Sequence, residues 1–310
     1  MESKKIIISG INGFIGCNLK NYLVNKYKTL GVSRKENKPK HIISYSKFSV
    51  DDLKGVKTFI HLAGKAHDVK NVSSKDEYFQ VNTALTKKLF DLYLQSSCEV
   101  FVFLSSVKAI ADKVVGTLDE NYKANPITAY GKSKLAAEEY ILSQKLPKNK
   151  RVYILRPCMV HGPNNKGNLN LLYNFVSKGV PYPFGAFNNK RSFVSVENLC
   201  FVIKELIENK DIPNGVYHMA DDEAISTNQL IQVLGDAIER PSKIWNLNTN
   251  LVRFIGKIGD VLPLPIDTER VEKLTENYVV SNKKIKKAIQ KELPLTTKQG
   301  LIKTFKSFNS

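Results

Sequence analysis

The sequence is poor in cysteine and has no long apolar run, and each scarcity excludes a class of protein. The four cysteines are scattered, without the close CxxC or Cys/His spacing of a zinc site or a secreted disulfide framework. No stretch approaches the roughly 20 apolar residues of a membrane span, and MESKKIIISG is too weakly apolar for a signal peptide. We therefore expect a soluble, cytoplasmic protein with reduced thiols, no metal site and no stable membrane insertion.

Acidic residues are also scarce, since 29 aspartates and glutamates accompany 47 lysines and arginines and leave a net charge of +18. Such a charge is typical of proteins that bind nucleic acid, an acidic membrane surface or a phosphorylated small ligand. The densest basic run, at 283–291, is interpreted as the solvated face of a surface helix because no nucleic-acid motif accompanies it. We therefore predict no nucleic-acid partner.

One amphipathic run, NLVRFIGKIGDVLPL at 250–264, lies beside cations. Such a run can rest on a membrane surface or pack as a helix on a globular core. The sequence favours the packed helix, because apolar helix faces are common in globular cores.

Short β-branched runs alternate with helical patterns through the first half of the chain. The helical spacing is clearest over 75–95 and 135–146. Brief apolar runs bounded by turn or polar residues predict buried strands, and here they are KKIIIS, TLGVS, TFIHLA, VFVFLSS and RVYILRP. This alternation predicts an α/β fold with a doubly wound parallel sheet covered on both faces.

The pattern changes after about residue 163. Helical patterns dominate there, short strands are predicted at 181–182 and 215–218, and Ser226 and Gln229 have capping-box spacing. We therefore predict one domain at 1–163 and a smaller, mostly helical substrate-binding lobe at 164–310. Segments around 190–220 are predicted to return to the first domain.

A glycine-rich turn follows the first predicted strand and opens the first predicted helix. ISGINGFIG places Gly10, Gly13 and Gly16 there, with Phe14 and Ile15 between the last two. Glycines at this place let backbone amides approach a pyrophosphate at the positive end of the helix. The context predicts a Rossmann-type dinucleotide site rather than a plain tight turn.

The end of the second strand bears on which dinucleotide binds. A carboxylate there would hold the ribose 2′-hydroxyl of NAD, whereas a cation suits the 2′-phosphate of NADP. This chain has Ser33 and Arg34 at that place. NADP(H) is therefore favoured, and NAD(H) stays open because exposed basic turns are common in so cationic a chain.

The hexapeptide AYGKSK places Tyr130 and Lys134 one helical turn apart on the same face. We expect the lysine charge to lower the pKa of the phenol and make Tyr130 a usable acid and base. A carbonyl that receives a hydride needs a proton on its oxygen, which Tyr130 could give. Ser106, at the end of the fourth apolar run, can hydrogen-bond that same oxygen. Alone, the spacing is better explained by a solvated helix pair, but together with a dinucleotide turn and the strand-end Ser105 and Ser106 it predicts a redox site.

Over essentially the whole chain, the sequence resembles the extended short-chain dehydrogenases/reductases of the nucleotide-sugar epimerase/dehydratase group. The matching segments are GINGFIG, HLAG at 61–64, QVNTALT, SSV at 105–107, YGKSK, RPCMVHGP at 156–163 and RSFVSVENL at 191–199. The resemblance implies a redox step carried by Ser106, Tyr130 and Lys134. It implies cofactor contacts by Leu62, Ala63, Gly64, Asn82, Pro157, Tyr130 and Lys134, and substrate contacts by Arg191 and Asn168 at a diphosphate.

The chain also departs from this group. Dehydratases of the group carry an Asp-Glu pair after the catalytic Ser/Thr, where this chain has Val107 and Lys108. The resemblance therefore argues against a dehydratase, and Lys108 becomes a candidate substrate contact or an exposed lysine. His161 stands where relatives usually have tyrosine, near the expected nicotinamide pocket.

Two redox functions remain, a 4-ketoreductase and a 4-epimerase. The basic turn at Arg34 favours the first, an NADP(H)-dependent 4-ketoreductase acting on a UDP-4-keto-6-deoxy-N-acetylhexosamine for surface polysaccharide. The alternative is an NAD-dependent UDP-hexose or UDP-N-acetylhexosamine 4-epimerase. A third possibility, of another class, is a non-catalytic dinucleotide-binding sensor, although such proteins usually lose the tyrosine or the lysine. By resemblance we expect a UDP-sugar substrate and a homodimer formed through helices at 75–95 and 128–146.

Overall fold

A seven-stranded parallel sheet forms the centre of the molecule. The computed structural model describes residues 4–34, 41–65, 74–165, 168–261 and 267–308, without the side chains at 168, 269, 270 and 273. The strand order is β3-β2-β1-β4-β5-β7-β10. The strands are β1 (Lys4–Ser9), β2 (Tyr27–Ser33), β3 (Ile42–Ser44), β4 (Val56–His61), β5 (Val100–Leu104), β6 (Thr117–Leu118), β7 (Arg151–Pro157), β8 (Met159–His161), β9 (Phe193–Ser195), β10 (Gly215–Met219) and β11 (Val279–Val280).

Helices cover both faces of this sheet, as the strand pattern predicts. Helix α1 packs with α6 on one face, and α3 packs with α4 on the other. The helices are α1 (Phe14–Leu23), α2 (Lys75–Tyr78), α3 (Leu85–Gln95), α4 (Ala129–Ser143), α5 (Asn168–Ser177), α6 (Val196–Glu208), α7 (Thr227–Ala237), α8 (Thr249–Gly259), α9 (Thr268–Thr275), α10 (Lys283–Ile289) and α11 (Thr297–Lys306). The predicted doubly wound α/β fold is confirmed.

Alternation along the strands explains why two cores form. Ile6 and Ile8 of β1 belong to the cluster under α1 and α6, whereas Ile7 between them belongs to the cluster under α3 and α4. Successive side chains point to opposite faces of a strand. A run of consecutive isoleucines is therefore buried on both sides, which is typical of a parallel sheet.

The helix predicted over 75–95 is present, but its middle is wound more loosely than an α-helix. A π-helical segment, Phe79–Ala84, connects α2 to α3. Helix α4 spans Ala129–Ser143, within the expected 128–146, and Thr128 caps it by accepting a hydrogen bond from the Gly131 amide. Both features place polar side chains at the functional site described below.

The second half of the chain builds a third core of its own. Helix α7 begins with the predicted capping box, in which Ser226 accepts from the Gln229 amide and the Gln229 side chain accepts from the Ser226 amide. Strand β10 and helix α6 come late in the chain but pack with the elements of its first half. Strand β10 pairs with β7, and α6 packs on α1. Among the described helices, none is long and apolar enough to cross a membrane.

A buried ammonium group fastens the end of α3 to the sheet. Lys150, only 4% exposed, donates to the carbonyls of Tyr93, Ser96 and Cys98 at 2.8–2.9 Å. These carbonyls lie at and beyond the C-terminus of α3, where a helix has no internal donors left. One cation therefore donates to three backbone carbonyls at the end of this helix.

We predict that Lys150→Met lowers the free energy of unfolding by roughly 2–4 kcal/mol, because three carbonyls lose a charged donor. Urea unfolding followed by circular dichroism measures the change. The control is Lys148→Met, since Lys148 is exposed. Equal stability of the two variants would contradict this role of Lys150.

Candidate functional site

Most of the sequence-predicted site residues lie along one edge of the sheet. The parallel registers pair Ser9 with His61, His61 with Phe103, and Leu104 with Leu155. The strand ends at Gly10, Arg34, Leu62, Ser106 and Pro157 therefore come together. The strand order reverses between β1 and β4, and such a switch point is where open α/β sheets bind ligands.

The glycine turn is shaped by backbone contacts. Gly10 has φ +72°, and a Cβ there would lie 2.8 Å from the Ala63 nitrogen. A Cβ on Gly16 would lie 2.3 Å from the Gly10 oxygen, whereas one on Gly13 would meet only that oxygen, at 3.2 Å. Gly13 is the N-cap of α1 and provides no side-chain hydrogen bond. The first-turn amides of α1, at Phe14 and Ile15, thus present donors of the kind that binds a pyrophosphate.

A chain of hydrogen bonds fixes the segment Leu62–Gly64 beside this turn. The Ala63 amide donates to Ser9 Oγ at 3.4 Å, Ser9 Oγ lies 2.6 Å from His61 Nδ1, and His61 Nε2 lies 2.8 Å from Thr86 Oγ1. Burial, followed by the Lys134 charge, lowers the pKa of His61 to about 3. The imidazole is therefore neutral and acts as a structural connector.

Asn82, on the π-helical segment, connects the same segment to α4. Its Oδ1 accepts from the Lys65 amide at 2.7 Å, and its Nδ2 donates to the Lys65 carbonyl at 3.1 Å and to Ser133 Oγ at 3.0 Å. Asn82 is completely buried. Its hydrogen bonds fix the backbone around Gly64 relative to the helix that carries Tyr130.

Lys134 lies at the centre of these elements. Its ammonium donates to the Leu104 carbonyl at 2.9 Å and lies 2.9 Å from where a Cβ on Gly64 would be. Burial lowers its pKa to about 8, and the charge of Glu138 opposes that shift. Lys134 therefore connects the ends of β4 and β5 to α4.

Tyr130 and Ser106 are brought together, as the resemblance implies. The Tyr130 side chain is hydrogen-bonded to Ser106, and its ring meets that of Tyr78 edge-on with centroids 6.2 Å apart. Burial raises the pKa of Tyr130, and the Ser106 hydrogen bond only partly opposes this. The prediction that the lysine charge lowers the pKa of this phenol is therefore wrong in direction for the structure.

A buried carboxylate that the sequence analysis missed lies behind the site. Glu138 is 1% exposed and forms a two-pronged ion pair with Arg156, at 2.5–3.1 Å, and a hydrogen bond with Ser105. It lies one helical turn after Lys134 on α4. A charged residue on the buried side of that helix was the signal available in the sequence.

The candidate substrate residues Lys108 and Arg191 meet around Tyr278. The Lys108 ammonium lies 4.4 Å from the Tyr278 ring centroid and donates to the Asp112 carbonyl at 2.8 Å. The backbone of Arg191 forms an isolated parallel β-bridge with that of Tyr278. The Arg191 Nη2 atom lies 3.5 Å from Glu276 Oε1. Burial lowers the pKa of Arg191. Asn168 begins α5, and its side chain lies outside the described residues.

The remaining predicted residues divide into edge and core positions. Ser33 is buried at the end of β2 and Arg34 is exposed after it, while Pro157 ends β7 in the sheet. His161 is completely buried, and its Nδ1 lies 2.9 Å from Thr304 Oγ1 of α11. Within the described ranges no group of three histidine, cysteine or acidic side chains is arranged to hold a metal ion.

Residues 6–220 match the NAD dependent epimerase/dehydratase family. The chain belongs to this family. The match includes the glycine turn, the 61–64 segment and the Ser106, Tyr130 and Lys134 positions. It ends close to the end of β10, the last strand of the central sheet.

Relatives of this family member include sugar 4-epimerases. A UDP-glucose 4-epimerase of Vibrio cholerae is 30% identical over 330 residues, covering 98% of this chain and 95% of that protein. An N-acetyl-α-D-glucosaminyl-diphospho-ditrans,octacis-undecaprenol 4-epimerase of Escherichia coli O157:H7 is 28% identical over 76% of this chain and 68% of that protein.

Solved structures confirm the fold of the family member. A UDP-N-acetylglucosamine 4-epimerase of Methanobrevibacter ruminantium M1, in complex with UDP-N-acetylmuramic acid, has a TM-score of 0.78 at 20% identity and covers 100% of this chain and 99% of that one. MoeE5, with UDP-glucuronic acid and NAD, has a TM-score of 0.75 at 19% identity, covering 98% and 99%. RMD of Pseudomonas aeruginosa, with NADPH, has 0.72 at 18%, covering 99% and 100%.

The two glycines of the turn give a paired prediction. Gly16→Ala should lower the free energy of unfolding by roughly 2–3 kcal/mol because its methyl group meets backbone at 2.3 Å. Gly13→Ala should cost less than about 1 kcal/mol but weaken NAD binding at least tenfold, because its methyl group lies in front of the first-turn amides. Thermal unfolding and calorimetric titration with NAD measure these effects. Unchanged affinity in Gly13→Ala would contradict a pyrophosphate site at this turn.

The buried lysine gives a pH-dependent prediction. The pKa of Lys134 falls from 10.5 to about 8 on folding, so between those pH values the unfolded chain binds more protons and stability rises with pH. The stability of the native protein relative to Lys134→Met should therefore increase by roughly 2–4 kcal/mol from pH 8 to 10.5. Urea unfolding of both proteins across this range tests it. Parallel pH curves would show that folding does not lower the pKa of Lys134.

Proposed function

We propose that this protein is a UDP-sugar 4-epimerase that uses NAD. The observation that carries the proposal is the hydrogen-bonded pair of Tyr130 and Ser106 beside the buried Lys134, on the edge of the sheet where the glycine turn lies. The 4-epimerase activity named for the Vibrio cholerae and Escherichia coli relatives supports this choice. It therefore ranks above the 4-ketoreductase that the sequence alone favours.

The residues at the edge of the sheet fit a dinucleotide. Gly13, the N-cap of α1, carries no side chain beside the first-turn amides of this helix, which suits a pyrophosphate. The Lys134 ammonium lies next to exposed Gly64, so it can reach ribose hydroxyls that lie over that glycine. When bound, the nicotinamide supplies the hydride chemistry at C4 of the sugar, first accepting a hydride and then returning it.

The proton at the C4 oxygen is assigned to Tyr130. Its raised pKa keeps the phenol protonated, which suits the step that gives a proton to the oxygen of a 4-ketosugar. In the opposite step, the Ser106 hydrogen bond, which lowers the pKa of the phenol, favours the phenolate. Ser106, hydrogen-bonded to Tyr130, holds the same substrate oxygen in line.

The substrate diphosphate is assigned to the cations around Tyr278. Arg191 is largely buried, so solvent screens its charge poorly. A guanidinium can donate two parallel hydrogen bonds to the oxygens of a phosphate. The Lys108 amide donates to Ser106 Oγ at 3.2 Å, which couples this cluster to the proton-transfer pair. Asn168 is proposed as an amide donor to the same diphosphate. The division of the chain at residue 163 and the homodimer stay predictions.

One observation favours a second candidate, the NADP(H)-dependent 4-ketoreductase acting on a UDP-4-keto-6-deoxy-N-acetylhexosamine. Arg34 is exposed at the end of β2, where a 2′-phosphate would lie, and Ser33 takes the place of the acid that NAD enzymes use. Structures of this fold hold either dinucleotide, as MoeE5 and RMD illustrate. The non-catalytic sensor ranks third, because both Tyr130 and Lys134 are retained.

We predict that the purified protein with NAD interconverts UDP-N-acetylglucosamine, or UDP-glucose, with its 4-epimer and consumes no net cofactor. Tyr130→Phe should lower turnover by about 10²–10⁴-fold, because it removes the proton carrier, while NAD affinity changes little. Anion-exchange chromatography of the UDP-sugars and absorbance at the NADH band measure the two quantities.

The matched control is Tyr140→Phe, which removes a phenol from the outer part of the same helix, where Tyr140 is hydrogen-bonded to Asp91. Stoichiometric oxidation of NADPH by a UDP-4-ketosugar, with no interconversion of UDP-hexoses, would establish the ketoreductase instead. Full turnover by Tyr130→Phe would overturn both enzymatic assignments.

A further inference from the structure

Helix α8 turns an apolar stripe towards solvent. Leu251 is 49% exposed and Phe254 is 60% exposed, and Val261, just beyond the helix, is 85% exposed. These residues follow a spacing of three and seven positions, which puts them on one side of a helix. Ile258, half-buried, lies on the same side. Isolated exposed apolar residues are ordinary, but a continuous helical stripe marks an interaction surface.

The opposite side of α8 already makes the packing contact that the sequence analysis favoured. Val252 is buried, and a Cβ on Gly256 would lie 3.3 Å from Val271 and 3.4 Å from Thr268 of α9. This contact uses small side chains and leaves the large ones outside. The amphipathic pattern of α8 is therefore only partly explained by the core of its own lobe.

Cations border the exposed stripe. Arg253 and Lys257 are exposed and occupy adjacent turns of α8 on one flank of the stripe. In the part of the chain that the structure describes, neither forms a salt bridge. The one acidic residue at this end of α8, Asp260, is hydrogen-bonded to Thr268 through both carboxylate oxygens, at 2.7–2.9 Å. The face thus combines apolar and positive character.

We propose that this face of α8 docks the protein on an anionic lipid surface. A short amphipathic helix with apolar side chains on one face and basic residues beside them lies in the plane of a lipid interface. The 11 residues of α8 cover about 16 Å along the helix axis, too little to cross a bilayer. The net charge of +18 adds a long-range attraction to acidic headgroups.

Lipid is favoured over a second copy of the chain by charge. A self-associating face would have to bring Arg253 and Lys257 of two copies close together in a chain of the same net sign, and like charges at an interface oppose association. An anionic surface pairs with the same cations. Docking of this kind is reversible and weakens with salt, because the screening length shortens from about 10 Å at 0.1 M to about 3 Å at 1 M.

The test is co-sedimentation of the full chain with vesicles of equal parts phosphatidylglycerol and phosphatidylcholine, compared with vesicles of phosphatidylcholine alone. We expect binding to the anionic vesicles only, abolished by high salt. Phe254→Ser should lower the partition coefficient roughly tenfold. The double variant Arg253→Gln with Lys257→Gln should lower it roughly ten- to thirtyfold.

The matched control is Val24→Ser, which removes an apolar side chain that is 62% exposed at the end of α1; it should bind vesicles as the native protein does. Thermal unfolding of each variant confirms that the fold is retained. Absence of binding to anionic vesicles at low salt would overturn the proposal, as would unchanged binding by Phe254→Ser. A dimer seen by light scattering that Phe254→Ser dissociates would assign the face to a second copy instead.

Discussion

The site depends on one buried ammonium group. Lys134 reaches from α4 under the segment that follows β4 and donates to the last carbonyl of β5, so three elements distant in sequence meet at a single charge. Burying a lysine is costly unless its donors and its charge are satisfied. The Leu104 carbonyl satisfies a donor, and Glu138, one helical turn away, supplies an opposing charge. Any loosening of this contact would separate the glycine turn from the hydrogen-bonded pair of Tyr130 and Ser106.

Behind the ammonium lies a polar network that holds it in place. Glu138 is itself neutralised by Arg156 and bonded to Ser105, and Asn82 fastens the other side of α4 through Ser133. Buried networks of this kind are stable only when their members are satisfied. Their value here is positional, because they fix Tyr130 against Ser106 on a rigid helix and strand end. Burial and the Lys134 charge keep the imidazole of His61 neutral within the same network.

The sequence was sufficient for the parts of the fold that are local. The β-branched runs, the glycine turn and the four-residue spacing of Tyr130 and Lys134 each depend on neighbours in sequence, and the structure has the strands, the turn and the helix they predict. The pairing of Glu138 with Arg156 depends on how α4 lies against β7, which no local pattern specifies. For the same reason the direction of the pKa shift at Tyr130 was wrong: burial, a property of the packed molecule, raises the pKa more than the Ser106 hydrogen bond lowers it. The contact of His161 with Thr304 of α11 likewise joins distant parts of the chain, and no local pattern specifies it.

In the proposed function, a phenol, a serine hydroxyl and two cations surround one sugar nucleotide. We propose that Tyr130 and Ser106 share the C4 oxygen of that sugar while Arg191 and Lys108 hold the diphosphate. The most direct measurement is a crystal structure with NAD and UDP-N-acetylglucosamine bound. The account predicts both hydroxyl oxygens within hydrogen-bonding distance of the C4 oxygen and the pyrophosphate of NAD over the α1 amides. A sugar nucleotide whose C4 oxygen lies away from Tyr130, or a glycine turn without the pyrophosphate, would contradict it.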